Sequence, residues 1–181
     1  MTGPAWLVAI DLQRVFADPL SPWATPEYDR AVAGTEALRP SFAGRTVRTR
    51  FVAPSAPTGA WRDYYADWPF ALVPAEDLLY DLVPDAGSDD VVVSATTFGK
   101  WGPELDAATG HSRSIVLTGV STDCCVLSTA LAAADVGVRV QVVTDACAGV
   151  TEADHLRALA AMALYAPLIT LTSVAEVLAA R

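Results

Sequence analysis

The chain has 181 residues, the length of one compact domain, which is taken to span 1–181. Apolar residues make up 52% and charged residues 18%, enough for a buried core and too few charges for a disordered chain. Twelve basic against 21 acidic side chains leave a formal charge of −9 with no Lys or Arg cluster, which excludes a nucleic-acid partner.

The opening MTGPAWLVAIDLQ runs straight into an apolar segment without a basic leader, and no apolar stretch reaches the roughly 18 residues of a membrane span. A cytoplasmic protein with no membrane partner is expected. The first strand is read at 5–10, a helix at 26–39 and a second strand at 46–51. Residues 53–84 then break the rhythm with five prolines and the aromatics Trp61, Tyr64, Tyr65, Trp68, Phe70 and Tyr80, as a functional loop would. A third strand follows at 90–94, a short helix after Pro103 and a fourth strand at 114–118. The chain continues with a helix at 123–136, a strand at 139–143, a helix at 151–164, a strand at 168–171 and a helix from Ser173 to the C-terminus. Several strands are unbroken Val, Ile and Leu, the pattern of strands buried on both faces. Alternation of strand and helix predicts a three-layer, Rossmann-like α/β fold, its sheet of about six mainly parallel strands covered on both faces by helices.

Ligands of such sheets bind beyond the carboxyl ends of the strands. Asp11 follows the first strand, Lys100 the third, and Cys124 and Cys125 the fourth, so a carboxylate, an amine and a thiol meet on one edge. Each alone has an ordinary reading, as a cap, a solvated cation or a small core residue. In GVSTDCCV, Thr122 and Asp123 read as a helix N-cap, placing both cysteines in the first turn, where the helix dipole and Lys100 favour a thiolate. The N–H groups of that turn suit an oxyanion. No histidine follows a strand end, so Asp11 is the candidate base; helical spacing does not decide between Cys124 and Cys125. His111 and His155 are assigned to the surface and Cys147 to packing. Two histidines and three cysteines hardly supply a metal site, and neither a metal nor another cofactor is expected.

These residues resemble the isochorismatase-like cysteine hydrolases, the superfamily of nicotinamidases and N-carbamoylsarcosine amidohydrolases. AIDLQRVF is similar to its first-strand motif, TTFGKW to its Lys segment, and GVSTDCCVLSTALAAADVG to its nucleophile segment. The resemblance implies Asp11 as general base, Lys100 as the charge-stabilising cation and Cys125 as nucleophile, cleaving a C–N bond of a small molecule through a thioester. It also implies a cis peptide from Val120 to Ser121, with the N–H groups of Ser121 and Cys125 as oxyanion hole, and a homodimer or homotetramer. The segment RTRFVAPSAPTGAW lacks the Asp and histidines that bind metal in nicotinamidases, which implies a metal-free enzyme. Phe16, Trp61, Tyr65 and Trp101 are candidate pocket residues, although aromatics of this loop also serve packing or an interface. Gln13 is a candidate to touch substrate or to hold Asp11, and Arg50 or Arg62 to pair with a carboxylate. The alternatives are a catalytically silent binding protein, hydrolysis of a non-amide bond and, at unfavourable spacing, thiol redox chemistry at Cys124 and Cys125.

Overall fold

The computed structural model describes residues 3–180; the first two residues and the last residue of the expected C-terminal helix lie outside them. Six strands form one parallel sheet: β1 (Trp6–Ile10), β2 (Thr46–Phe51), β3 (Val91–Ala95), β4 (Ser114–Val120), β5 (Arg139–Ala148) and β6 (Ile169–Thr172). Their spatial order is β3-β2-β1-β4-β5-β6, so the strand order reverses between β1 and β4. That junction is where such sheets hold ligands.

Alternation along the central strands builds two apolar layers. Val8 and Ile10 of β1, Ile115 and Leu117 of β4, and Val140 and Val142 of β5 face one side. They meet Leu105 of α4 (Pro103–Ala108), the alanines of α5 (Leu127–Asp135), and Leu159 and Met162 of α6 (Glu152–Ala163). Leu7, Val116 and Val143 face the other way, against Leu38 of α2 (Tyr28–Leu38) and Val177 of α7 (Val174–Ala179). Small residues let the layers close. A Cβ on Gly34 of α2 would lie 2.6 Å from that of Ala146.

Expected boundaries shift most in three places. β5 continues past 143 to Ala148, because an irregularity between Leu117 and Gly119 re-registers β4 so that Gly119 and Val120 pair with Cys147 and Ala148. Cys147 therefore lies within a strand, buried. The segment 53–84 is not a bare loop, since Trp61–Asp67 forms a helix, α3, and two short 3₁₀ turns follow. The helix expected from 123 begins one residue earlier, at Thr122, in a π turn that runs to Val126. Among the described residues no helix is long and apolar enough to cross a membrane.

Candidate active site

At the end of β1 the chain turns off at Asp11 with φ of +47°, a left-handed conformation that Asp tolerates better than most residues. The Asp11 amide donates to Thr49 Oγ1 on β2 at 3.1 Å, and that hydroxyl donates to Asp11 Oδ1 at 2.6 Å. Beside this turn, β4 passes so close that a Cβ on Gly119, at φ of +109°, would stand 2.1 Å from Ile10 O. Only glycine fits there.

Lys100 comes in from the segment after β3. Its amide donates to Thr129 Oγ1 at 2.9 Å, and its ammonium donates to the carbonyls of Thr97 at 2.5 Å and Phe98 at 3.0 Å. The same ammonium stands 2.9 Å from Asp11 Oδ2, both side chains fully buried. That oxygen faces the Lys100 ammonium as its ion-pair partner.

Cys125 arrives on the π turn. Ser121 O accepts from the amides of Cys124 at 3.3 Å and Val126 at 3.1 Å, the second bond spanning five residues. Thr129 Oγ1 donates to Cys125 O at 2.6 Å, so one hydroxyl ties the cysteine's backbone to that of Lys100. Burial pushes the Cys125 thiol well above its usual range; the Asp11 charge and its hydrogen bond to the thiol act the same way, and Lys100 opposes them. This overturns the expected thiolate. The helix start and one cation are outweighed by desolvation and a neighbouring carboxylate, and the thiol rests protonated beside an acceptor.

The expected N-cap is also corrected. Ser121, joined to Val120 by a cis peptide, is the N-cap residue, with no side-chain cap bond. Thr122 Oγ1 instead lies 2.9 Å from His155 Nδ1, and Asp123 Oδ1 accepts from the amide of Val150 at 3.0 Å. The hydroxyl thus stitches the π turn to α6, and the carboxylate stitches it to the loop just before that helix. His155 is consequently buried rather than on the surface, and desolvation lowers its pKa. His111 is exposed in its turn, 2.7 Å from Asp106.

A cavity of about 270 Å³ opens over the cysteine. Its wall is aromatic: Phe16, Trp23, Phe51, Tyr64, Trp68 and Phe98. Ser121, Cys124 and Cys125 also line it, at the carboxyl edge of the sheet. Trp23 is the hub, with ring centroids 6.2 Å from Phe16, 5.7 Å from Phe51, 6.0 Å from Tyr64 and 6.1 Å from Trp68.

Of the candidate pocket residues, Phe16 is on this wall, whereas Gln13, Trp61, Tyr65 and Trp101 are not. Gln13 is fully buried with its amide saturated: Nε2 donates to Phe51 O and Tyr80 O, and Oε1 accepts from Phe51 N at 2.7 Å. Its side chain clamps β2 to the loop, and its backbone amide donates to Asp11 O at 2.8 Å. Trp61 and Tyr65 stack 5.9 Å apart as a second layer behind Tyr64 and Phe98, and Trp101 packs on the main core. Arg50 donates to Tyr80 O and Ala75 O, and Arg62 to Pro57 O, so both hold the loop. Trp23, Phe51 and Phe98 were not singled out by sequence reasoning. Trp23 had one local signal, a lone aromatic in the proline-flanked turn SPWATP. Among the described residues no three His, Cys, Asp or Glu side chains are grouped as they would be to hold a metal ion.

The same architecture recurs in solved structures. A cysteine hydrolase from Pseudomonas syringae pv. phaseolicola 1448A superposes with a TM-score of 0.84 at 21% identity, covering 96% of this chain and 90% of that one. An N-carbamoylsarcosine amidase from Thermoplasma acidophilum gives 0.74 at 18% identity, covering 94% and 96%. In sequence, isochorismatase domain-containing protein 2 of Xenopus laevis is 40% identical over 84 residues, 44% of this chain and only 41% of that protein's length. The family model of the isochorismatase domain matches residues 5–174. With that match across nearly all of its length, on a parallel sheet whose order reverses beside Asp11, this chain belongs to the isochorismatase domain family.

Proposed function

We propose that the protein is a metal-independent cysteine hydrolase that cleaves an amide or ureido C–N bond of a small molecule. One observation carries this reading: a buried carboxylate and ammonium, 2.9 Å apart, lie against a buried thiol that lines a cavity. A structural core residue needs no such neighbours, and three mutually dependent polar groups are costly to bury unless they act together. The names of the two structural neighbours, a cysteine hydrolase and an amidase, support the same reading.

In the first half-reaction Asp11 Oδ2 takes the thiol proton as Cys125 Sγ attacks the carbonyl carbon. The N–H groups of Ser121 and Cys125 receive the developing oxyanion. Asp11 then returns the proton to the leaving nitrogen, the C–N bond breaks and an acyl thioester remains on Cys125. In the second half-reaction Asp11 deprotonates a water that attacks the thioester, the C–S bond breaks, the carboxylic acid leaves, and Asp11 returns the proton to Cys125 Sγ so that carboxylate and thiol are restored. Lys100 keeps the Asp11 charge favourable throughout and fixes its direction.

Intact mass measured during turnover of amides and ureides tests this. The expected result is a mass increment equal to the acyl group, absent in Cys125→Ser and localised by proteolysis to Cys125. Turnover of a confirmed substrate that survives Cys125→Ser would overturn the mechanism.

A further inference from the structure

We infer that the substrate's acyl part is a compact, uncharged aromatic or cyclic apolar group, and that this cavity rejects amides carrying a carboxylate. This rests on the hydrolase reading and narrows it.

The wall over Cys125 is six aromatic rings, and no Lys, Arg, Asp or Glu side chain is part of it. The cations that sequence placed near it are committed elsewhere. Lys100 is held by Asp11 and two carbonyls, behind the cysteine. Arg50 and Arg62 are bound to loop carbonyls, and Arg48 is buried between Glu36 and Asp90. The Tyr64 phenol is pushed up to about 12, first by burial and then by the two cysteines, so it faces the cavity neutral. A carboxylate entering here would lose its water and meet no cation, only the neutral hydroxyls of Thr25 and Ser121, while the chain's net charge of −9 disfavours its approach.

Size limits the occupant as well. At about 270 Å³ the cavity lies under the roughly 300–1,000 Å³ of sites for drug-sized ligands, room for one ring and its carboxamide. The rings offer both faces and edges: Phe51 and Phe98 stack at 6.3 Å, whereas Trp23 meets Phe51 nearly edge-on at 76°. A planar guest can join either arrangement.

Three probes test this: benzamide, its anionic counterpart 4-carbamoylbenzoate and the small anion N-carbamoylglycine. Binding is read by quenching of tryptophan fluorescence in Cys125→Ser, since Trp23 and Trp68 line the cavity, and turnover by ammonia release from the unaltered protein. Benzamide should bind and turn over, with both anions disfavoured roughly hundredfold or more, the cost of burying an unpaired charge. Trp68→Arg, at a half-exposed wall position, should recover at least about tenfold of that difference for 4-carbamoylbenzoate. Anions bound or turned over as well as benzamide, or no binding by benzamide, would overturn the inference. Benzamide binding to Cys125→Ser with no ammonia and no acyl adduct in the unaltered protein would leave the inference standing and defeat the hydrolase reading instead.

Discussion

The edge of the sheet at β1 and β4 and the aromatic wall of Phe16, Trp23, Phe51, Tyr64, Trp68 and Phe98 meet at one cavity, and they are built by different physics. At the sheet edge almost every polar atom is positioned by another: Thr49 holds Asp11, two carbonyls hold Lys100, and Thr129 joins Cys125 to Lys100. Along the wall, rings touch rings through non-directional contacts, and the directional bonds nearby, from Gln13, Arg50 and Tyr80, lie behind it. Hydrogen bonds specify position to fractions of an ångström, whereas ring packing tolerates exchange of shape. The chemistry should therefore be brittle at the edge and the selectivity adjustable at the wall.

The sharpest way to break this contrast is to change the reacting groups themselves. Cys125→Ser should lower kcat by roughly 10³-fold or more, and Asp11→Asn by roughly 10²–10⁴-fold, in steady-state ammonia release. Cys125→Ser nearly conserves volume and should move the thermal midpoint little, whereas Asp11→Asn leaves the buried Lys100 ammonium without its counter-charge and should lose about 3–5 kcal/mol, so its turnover is compared well below its own midpoint. A variant at either position with ordinary turnover would remove the edge from the chemistry.

Next in size is Thr129→Val, which deletes one hydroxyl and keeps the shape. The Lys100 amide and the Cys125 carbonyl would each lose a buried partner, a cost of about 1–3 kcal/mol in stability. As a positioning residue, Thr129 should affect kcat more than KM, by roughly tenfold, because the substrate still meets an intact wall. Denaturant unfolding separates the two effects, and Thr129→Ser, which restores the hydroxyl, should recover both.

The same division sets what could be read from the sequence. Strands buried on both faces leave unbroken Val and Ile runs, and strand ends carry the reacting residues, so the sheet and the convergence of Asp11, Lys100 and Cys125 on one edge were legible. Thr122 and Asp123 misled because capping chemistry is local and their true partners, His155 of α6 and Val150 just before it, come some thirty residues on. The π turn has no periodicity distinct from a helix over five residues. Trp23 and Phe98 face the cavity while Trp61 and Trp101 do not, for reasons that reside in tertiary packing and leave no mark on spacing. Gln13 holds Asp11 only through its backbone amide, while its side chain, whose partners come from distant segments and leave no mark on spacing, holds Phe51 and Tyr80.

A smaller effect is expected at the wall. Trp68→Leu should raise KM for an aromatic amide by about tenfold through lost contact area, leaving kcat within a few-fold, the reverse of Thr129→Val. Equal losses in kcat at the two positions would erase the distinction between edge and wall.

The smallest effect concerns the stitch behind the edge. His155 is buried against Thr122, and desolvation lowers its folded-state pKa from 6.5, so protonation favours the unfolded chain. With a depressed folded value, the neutral imidazole contributes its full stability above the unfolded pKa of about 6.5, and that contribution falls away as the pH drops through the folded value. His155→Gln can keep a bond to Thr122 without titrating in this range. Thermal midpoints measured from pH 7.5 to 5 should therefore fall more steeply for the unaltered protein than for His155→Gln, the curves separating below about pH 6.5. Parallel curves would mean that His155 is protonated as readily inside the fold as outside it, and that the π turn carrying Cys125 is insulated from acid by other contacts.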